Sequence, residues 1–416
     1  DGTENIIKCG SYTGNASTDG PEINLGFEPQ WVYAKRTDSG GTHGILDVMR
    51  GMPVGGTDGD LILFPNTSDA EINQINLAPT PTGFKLEDDG TFLNQSGATY
   101  IYIAIRRPMK TPESGTEVFQ SLAYTGDGAS TRDFDLDLTL DAYFQACRSS
   151  STYDFKNFTT RLTSKGLYTA GTGTEFVTNT SLDVQDGLRA TGFENTLNQS
   201  GETYIINGFK RATGFMDVVA YSGSGSATTQ THNLGVVPEL MIVKTRSTTS
   251  NWPVYSAALT NTDTLFLNFP DATTSGISGY WNSTTPTDSV FSLGTANATN
   301  GSSRTFVAYL FATLAGVSKV GSYTGNGTSQ TIDCGFSGGA RFILIKSTST
   351  TGSWWVYDSV RGIVAGNDPA LQLNSTAAEV TSADAIDPDS SGFIVNQEAT
   401  CSINASGVSY IFMSIA

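Results

Sequence analysis

The sequence predicts an all-β fold of four tandem antiparallel β-sandwich domains, jelly-roll or immunoglobulin-like, that form an elongated rod. Short apolar runs such as YIYIAI, FILIK and WWVYD are bounded by Gly, Pro, Asn and Ser clusters about every 8 to 12 residues, which is typical of antiparallel strands joined by turns. No apolar pattern with the period of a helix persists for three turns. Two sequence landmarks recur with a spacing of about 100 residues, which predicts a repeated unit.

The two landmarks divide the chain into four segments. GSYTGN at residues 10–15 returns at 321–326, and the related stretches AYTGD and AYSGS contain Tyr124 and Tyr221. The second landmark is an aromatic residue in a closing apolar run, at Tyr100, Tyr204, Phe306 and Tyr410. The predicted domains are segment 1 (residues 1–110), segment 2 (111–212), segment 3 (213–314) and segment 4 (315–416). Segment 2 is degenerate and is recognisable mainly at its ends.

Strands between the landmarks also align. An apolar strand ends at Lys35, Lys244 and Lys346, and LDVMRG of segment 1 matches YDSVRG of segment 4. Trp31 aligns with Leu240 and Phe342, which favours a core position, and we align Trp252 with Trp355 ahead of the shared VY.

The junctions between segments set the expected arrangement. Those after segments 2 and 3 are too short to be free tethers, so we expect segments 2 to 4 to pack end to end, after a semi-rigid junction that contains proline. Strands of about 6 to 9 residues would make each sandwich roughly 25 to 35 Å tall, and four in line on the order of 100 Å.

Composition and charge exclude several classes of partner. The formal net charge of −17 and the pI near 4.4 repel nucleic acid, and no apolar run reaches the length of a membrane span, so we expect neither nucleic-acid binding nor membrane insertion. The four cysteines show no CxxC pair, which gives no support to a zinc site or a defined disulfide. Cys334 replaces Leu25 in the alignment and is predicted to be buried.

Five stretches together resemble a known family: GSYTGNGTSQTIDCGF, WWVYDSVRG, LNSTAAE, DPDSSGF and INASGVSYIF. They resemble the uncharacterised repeat domain found in tandem in predicted tail-fibre and related virion proteins of marine bacteriophages. The resemblance covers nearly all of the chain and is weakest in segment 2. It implies a virion surface component in a fibre or appendage that contacts other virion proteins, and a homotrimer by analogy with fibres. No coiled-coil heptad supports the trimer.

Three functions follow from this interpretation. The leading hypothesis is a non-enzymatic host-attachment protein whose loops bind host-surface glycans multivalently. The alternative is a purely structural or capsid-decoration protein, which predicts continuous apolar patches on one side of every segment and no stacking aromatics at loop tips. A polysaccharide depolymerase is the third hypothesis. Against an enzyme, the two histidines, His43 and His232, lie at unrelated positions and cannot repeat a Ser/His/Asp triad.

The segment DPDSSGFIVNQE has the spacing of a calcium-binding loop. Asp387, Asp389, Ser391 and Glu398 occupy positions that supply oxygen ligands, and Gly392 permits the sharp turn. Calcium is therefore the one cofactor to consider. The alternative is a plain turn into a strand, because GFIV recurs as GFKL at residues 83–86 without preceding carboxylates.

Aromatic and charged residues supply the remaining candidates. Tyr280 and Trp281 in the polar stretch SGYWNSTTP are candidates for an exposed pair that stacks on sugar rings, with a buried loop anchor as the alternative. The DxxRG pairs Asp47 with Arg50 and Asp358 with Arg361 are interpreted as ion pairs that clamp a turn, or as arginines that face a ligand. The Asn-x-Ser/Thr triplets at Asn15, Asn94, Asn198, Asn282 and Asn404 are attributed to turn chemistry.

Overall fold

A computed structural model of the chain describes residues 5–41, 43–54, 59–90, 92–152, 156–182, 184–191 and 197–416. Residues 1–109, 160–164 and 182–184 form one compact unit, and residues 110–159, 165–181 and 185–416 form a second. The described residues are all-β with several antiparallel sheets, as the sequence predicts; their helical elements are α1 (Ser278–Trp281), α2 (Asn297–Asn300) and a 3₁₀ turn at Gly115–Glu117. No helix in those ranges is long and apolar enough to cross a membrane.

Segment 1 contains nine described strands in three sheets. They are β1 (Ile7–Thr13), β2 (Glu22–Asn24), β3 (Pro29–Arg36), β4 (His43–Asp47), β5 (Asp60–Ile62), β6 (Ile72–Gln74), β7 (Leu77–Thr80), β8 (Gly83–Leu86) and β9 (Thr99–Arg106). The larger sheet has the order β1-β9-β3-β4, a smaller one has the order β2-β8-β7, and β5 pairs with β6.

Segment 2 also contains nine described strands. They are β10 (Phe119–Thr125), β11 (Arg132–Asp135), β12 (Ala142–Cys147), β13 (Asn157–Thr160), β14 (Lys165–Tyr168), β15 (Phe176–Val177), β16 (Thr180–Ser181), β17 (Gly187–Ala190) and β18 (Thr203–Phe209). The larger sheet has the order β10-β18-β12-β13-β14-β15, and the smaller one has the order β11-β17-β16.

Segment 3 contains seven strands. They are β19 (Met216–Ser222), β20 (Thr228–Thr231), β21 (Leu240–Thr245), β22 (Pro253–Ser256), β23 (Leu265–Phe266), β24 (Val290–Leu293) and β25 (Thr305–Phe311). The larger sheet has the order β19-β25-β21-β22-β23, and β20 pairs with β24.

Segment 4 contains eight strands. They are β26 (Ser318–Thr324), β27 (Gln330–Asp333), β28 (Phe342–Ser347), β29 (Trp355–Asp358), β30 (Leu371–Gln372), β31 (Ile386–Asp389), β32 (Gly392–Val395) and β33 (Ser409–Ile415). The larger sheet has the order β26-β33-β28-β29-β30, and the smaller one has the order β27-β32-β31.

One strand order therefore recurs in the larger sheet of every segment: the last strand lies between the first and the third. Side chains alternate between the two faces of a strand. The inner face of the larger sheet forms the segment's own core; in segment 1 this core includes Val32, Leu46 and Tyr100, all essentially unexposed. We call the opposite face the outer face, and in segment 4 its apolar residues include Phe342, Leu344, Val356, Ile411, Met413 and Ile415.

The recurrent tyrosine of the first landmark stacks on the aromatic residue of the second. The ring centroids are 5.1 Å apart for Tyr12 and Tyr100, and 4.9 to 5.2 Å apart in the other three segments. The hydroxyl of each such tyrosine donates to a backbone carbonyl in the connection before the last strand, which in segment 3 includes α2. GSYTGN thus joins the first strand of a segment to its last connection.

A buried asparagine in that same connection completes the joint. Its side-chain oxygen accepts the backbone N–H that follows the landmark glycine, at 2.9 Å for Asn94 and 3.0 Å for Asn404. Asn198 and Asn300 make the equivalent bonds. The triplets at Asn94, Asn198 and Asn404 are therefore turn chemistry, as expected. A side chain at Gly325 would collide with the Ala405 carbonyl, which explains why the landmark requires glycine there.

Within the second unit, segments 2, 3 and 4 form a closed ring rather than a row. Segment 3 bonds to segment 2 through Trp252, whose Nε1–H donates to the Tyr168 carbonyl at 3.1 Å, and segment 4 bonds to segment 3 through Trp354 and the Phe266 carbonyl at 2.9 Å. Segment 2 returns to segment 4 through an ion pair between Arg148 and Glu379 at 2.9 Å. The end-to-end rod expected for these three segments is wrong, because a row leaves its first and last members apart.

Candidate functional site

The centre of this ring is an apolar junction of the three outer faces. It contains a small cavity of about 20 Å³, close to the volume that one water molecule needs. Its lining is entirely apolar and comes from segment 2 (Phe144, Phe158, Phe209), segment 3 (Ile242, Phe311) and segment 4 (Phe342, Leu344, Val356, Leu373, Met413). Without polar partners a water molecule gains nothing there, so the junction is a packed core and has no room for a ligand.

Phe209 of segment 2 stands at the middle of the aromatic packing. Its ring centroid lies 6.3 Å from that of Phe311 in segment 3 and 5.8 Å from that of Phe342 in segment 4. Phe342 also packs on Phe119 at 5.2 Å, and Phe158 packs on Tyr309 at 5.1 Å. Such pairs add to the free energy gained by burying the rings.

Three kinds of polar contact recur around the junction. The first is the indole bond made by Trp252 and Trp354. Asn268 accepts the backbone N–H of Trp252, and Asn374 accepts that of Trp354, so these two tryptophans are structurally equivalent. The alignment of Trp252 with Trp355 was off by one residue: Trp355 lies in the segment 4 core.

The second contact is a buried lysine. Nζ of Lys244 donates to the Thr172 carbonyl of segment 2 at 3.1 Å, and Nζ of Lys346 donates to the Pro270 carbonyl of segment 3 at 3.1 Å. Burial lowers the pKa of both lysines to about 8, because the ammonium ion loses hydration. At the third boundary, Nζ of Lys156 in segment 2 donates to the Ser375 carbonyl of segment 4 at 2.8 Å.

The third contact is a backbone hydrogen bond. The N–H of Thr273 donates to the Thr348 carbonyl at 2.9 Å. The same bond joins Glu175 to Arg246 at 3.0 Å, and Glu379 to Arg148 at 2.9 Å. At these last two boundaries the side chains add ion pairs, Arg246 with Glu175 at 2.7 Å and Arg148 with Glu379 at 2.9 Å. All three boundaries therefore share a bond from a lysine to a carbonyl and a backbone hydrogen bond.

The predicted Asp–Arg clamps are present in both segments. Nε of Arg50 lies 2.6 Å from Asp47, and Nε of Arg361 lies 2.5 Å from Asp358. Each arginine also reaches a glutamate of its own segment: Glu71 in segment 1 at 2.6 Å and Glu379 in segment 4 at 2.9 Å. The ion-pair interpretation is confirmed.

The calcium-type segment is a β-hairpin formed by β31 and β32. Asp389 accepts the N–H and the hydroxyl of Ser391, Asp387 accepts from the Asn396 side chain, and Glu398 accepts the N–H groups of Thr400 and Cys401. These bonds match the turn-into-strand alternative. Among the described residues no group of three or more His, Cys, Asp or Glu side chains is arranged to hold a metal ion.

The two aromatics of SGYWNSTTP separate in the structure. Trp281 is fully buried in the segment 3 core, and its Nε1–H donates to the Asp263 carbonyl at 3.1 Å. The exposed stacking pair expected from the sequence is therefore not formed, and the loop-anchor alternative describes Trp281. Tyr280 is half-buried and packs on Phe266, whose ring also contacts Phe269.

Both histidines serve local structure. His43 Nδ1 lies 2.9 Å from the Tyr33 hydroxyl. His232 is buried, with Nε2 3.1 Å from the Thr287 carbonyl, and burial lowers its pKa below the usual value. Cys334 is buried as predicted, and burial raises its pKa to about 12.

The ring itself was missed from the sequence, and part of its signal was present. Lys244 and Lys346 ended aligned strands, and a lysine that is repeated at the end of an apolar strand indicates a shared structural partner. The ion pairs of Arg148 and Arg246 had no such signal, because the segment 2 alignment was too weak to pair Glu175 with Glu379.

No curated protein shows significant sequence similarity to the chain. A family model described as a domain of unknown function, DUF7483, matches residues 4–108 and 114–416. The chain therefore belongs to the DUF7483 family.

Proposed function

We propose that this chain is a non-enzymatic structural protein of a virion surface, built from four copies of one β-sandwich module with the segment boundaries given above. The observation that carries the proposal is the outer face: it is mainly apolar in every segment, and in segments 3 and 4 it is buried against neighbouring segments. A continuous apolar patch on one side of each module is what the structural alternative predicts. The assignment to a virion fibre or appendage rests on the resemblance to bacteriophage proteins.

The chemistry of the described ionisable groups agrees with a structural role. Arg361, Asp358 and Glu379 satisfy one another in a buried network, and His232 is held by backbone groups. A catalytic site concentrates perturbed groups around a cleft, whereas these groups clamp turns and segment boundaries.

The location of the chain in intact particles tests this proposal. Antibodies against the purified chain should decorate purified virions at regular surface positions, and electron microscopy would reveal those positions. A chain that is absent from particles, although present in infected cells, would contradict the virion assignment. Turnover of host polysaccharide by the purified chain would contradict the non-enzymatic role.

Host-glycan attachment is a second candidate, which one observation favours. Phe269 is 37% exposed, and with Tyr280 it flanks Phe266 at ring distances of 6.2 and 5.9 Å. Exposed aromatic faces of this kind stack on sugar rings. The multimerised chain should retain host-surface glycans, and Phe269→Ala with Tyr280→Ala should abolish retention. Val237→Ala, at another exposed apolar side chain, is the matched control.

A further inference from the structure

We propose that the outer face of the segment 1 sheet is a self-association surface, on which the same face of two further copies of this chain packs in a threefold ring. The ring would repeat between chains what segments 2, 3 and 4 do within one chain. The inference goes beyond the proposed function, because it holds wherever the chain resides.

The outer face of segment 1 is exposed where its counterparts are buried. Ile101 is 44% exposed, and the residues at its register position, Val307 and Ile411, are 0% and 3% exposed. Ile103 is 40% exposed, and its counterparts Tyr309 and Met413 are 1% and 3% exposed. In segments 3 and 4 the cover on these positions is another segment of the ring.

The first strand of segment 1, at the edge of the larger sheet, is also exposed where its counterparts are buried. Ile7 is 49% exposed, whereas Phe119, Met216 and Ser318, at the same position of the first strand, are at most 1% exposed. Seven of the twelve large apolar side chains exposed in the described residues lie in segment 1. Ile7, Ile101 and Ile103 lie on one face of the larger sheet, and an exposed apolar patch of this kind marks an interaction site.

Segment 1 also holds the polar groups that join segments in the ring. Lys35 lies opposite Ile101 in the register, as Lys346 lies opposite Ile411. Thr37 follows Lys35 by two residues, as Thr348 follows Lys346. The two threonines are equivalent, because their backbone N–H groups donate to the carbonyls of Thr99 and Ser409, the first residues of the two last strands.

Segment 1 also contains counterparts of the other groups that lie at a boundary of the ring. Asn66 accepts the N–H of His43 at 2.8 Å, as Asn374 accepts that of Trp354 at 2.8 Å, so His43 occupies the position of the indole that crosses the boundary. Glu71 pairs with Arg50 as Glu379 pairs with Arg361. In a threefold ring the Glu71 N–H would donate to the Thr37 carbonyl of the next copy, as Thr273 donates to Thr348.

These donors and acceptors determine the kind of partner. In the second unit the donor of each boundary bond lies on one segment and its acceptor on the next, so one module uses different groups toward its two neighbours. Such a heterologous contact closes a ring when the rotation permits, and three segments close it here. Segment 1 carries both sets of groups, so copies of itself satisfy them.

The test is the mass of the full chain in solution. The wild-type chain at micromolar concentration should elute with a light-scattering mass of about 132 kDa, three times the 44.0 kDa of one chain. Ile103→Asp places a charge at the centre of the proposed interface and should return the mass to that of a monomer. Val360→Asp, at a loop position 47% exposed in segment 4, is the matched control and should remain trimeric.

A second measurement separates loss of assembly from loss of folding. Cys9 lies opposite Ile103 and is exposed, whereas Cys147, Cys334 and Cys401 are buried. Maleimide should therefore modify Cys9 quickly in the dilute chain and at least tenfold more slowly at concentrations where the trimer forms. A wild-type chain that stays monomeric, or a Cys9 whose rate is independent of concentration, would overturn the proposal, as would an Ile103→Asp variant that remains trimeric.

Discussion

Segments 1 and 4 contain the same charged clamp in two different environments. Arg50, Asp47 and Glu71 have side chains that are 25%, 17% and 33% exposed, whereas their counterparts Arg361, Asp358 and Glu379 are 0%, 0% and 5% exposed. The bonds within the clamp are nearly identical. In segment 4 a neighbour adds Arg148 to the same glutamate. The difference therefore comes from the cover supplied by another segment.

The same arginine–carboxylate clamp therefore contributes differently to the free energy of unfolding in the two segments. A half-exposed ion pair is screened by water and contributes about 0 to 1 kcal/mol. In a buried network each charge depends on its partners, because removal of one leaves the others unpaired without hydration.

The largest effect should come from the arginine of the buried clamp. Arg361→Ala leaves Asp358 and Glu379 with less compensation and should lower the free energy of unfolding by about 3 to 5 kcal/mol. Arg50→Ala, the matched variant in segment 1, should cost about 1 kcal/mol or less. Four of the five tryptophans lie in segments 3 and 4, so fluorescence-detected urea unfolding reports on Arg361→Ala, and hydrogen exchange of segment 1 peptides reports on Arg50→Ala. Equal losses of unfolding free energy in the two variants would contradict the difference between the buried and the exposed clamp.

The outer face gives the next effect. Met413→Ala removes a side chain that is 3% exposed and lines the ring cavity, so it should cost about 2 to 5 kcal/mol. Ile103→Ala at the equivalent position is 40% exposed and should cost less than about 1 kcal/mol in a chain dilute enough to be monomeric. If the cost of Ile103→Ala rises with protein concentration, the segment 1 face is covered in the assembled state. A large cost at every concentration would contradict the exposure of this face.

The boundary indole should have a smaller effect. Trp354→Phe removes the donor to the Phe266 carbonyl while keeping an aromatic ring, so the loss should be about 1 kcal/mol. His43→Phe in segment 1 should have a still smaller effect on the dilute chain. Urea midpoints measure the first variant, and hydrogen exchange around β4 measures the second. A larger loss for His43→Phe would reverse the assigned roles of the two positions.

Much of each segment could be predicted from sequence, because local chemistry repeats. The tyrosine landmark, the closing aromatic and the Asp–Arg clamp are satisfied within a segment, so their spacing alone indicates a module. The ring could not be predicted, because an apolar outer face has the same sequence pattern whether it is exposed to solvent or covered by another segment. Ile101 and Ile411 belong to similar runs, and only packing distinguishes them.

Trp281 shows the opposite error. Its polar neighbours in SGYWNSTTP indicated a surface loop, and the tertiary fold turns the indole into the core around Tyr255. Composition describes the average environment of a loop, whereas one large side chain can anchor the loop by entering the core.

The last effect is a pH dependence that segments 1 and 4 should share. Asp368 is buried, and loss of hydration raises its pKa to about 6, although the Ile386 and Val364 N–H groups donate to it. Asp60 has the same role in segment 1, with its pKa raised to about 7 against the donated N–H groups of Leu77 and Asn76. A carboxyl whose pKa is higher in the folded state than in the unfolded state binds more protons when folded. Its contribution is therefore complete below pH about 4 and is lost as the pH rises through its folded value.

Substitution of each aspartate isolates this contribution. In Asp368→Asn the free energy of unfolding, measured by tryptophan fluorescence, should fall less steeply between pH about 4 and 6 than in the wild-type chain. In Asp60→Asn the free energy of unfolding of segment 1, measured by hydrogen exchange, should likewise fall less steeply between pH about 4 and 7 than in the wild-type chain. The two carboxyls bond within their own segments, so covering the outer face should leave both slopes in place. A slope that is present in segment 4 and absent in segment 1 would mean that the ring, and not the module, determines the titration of this buried carboxyl.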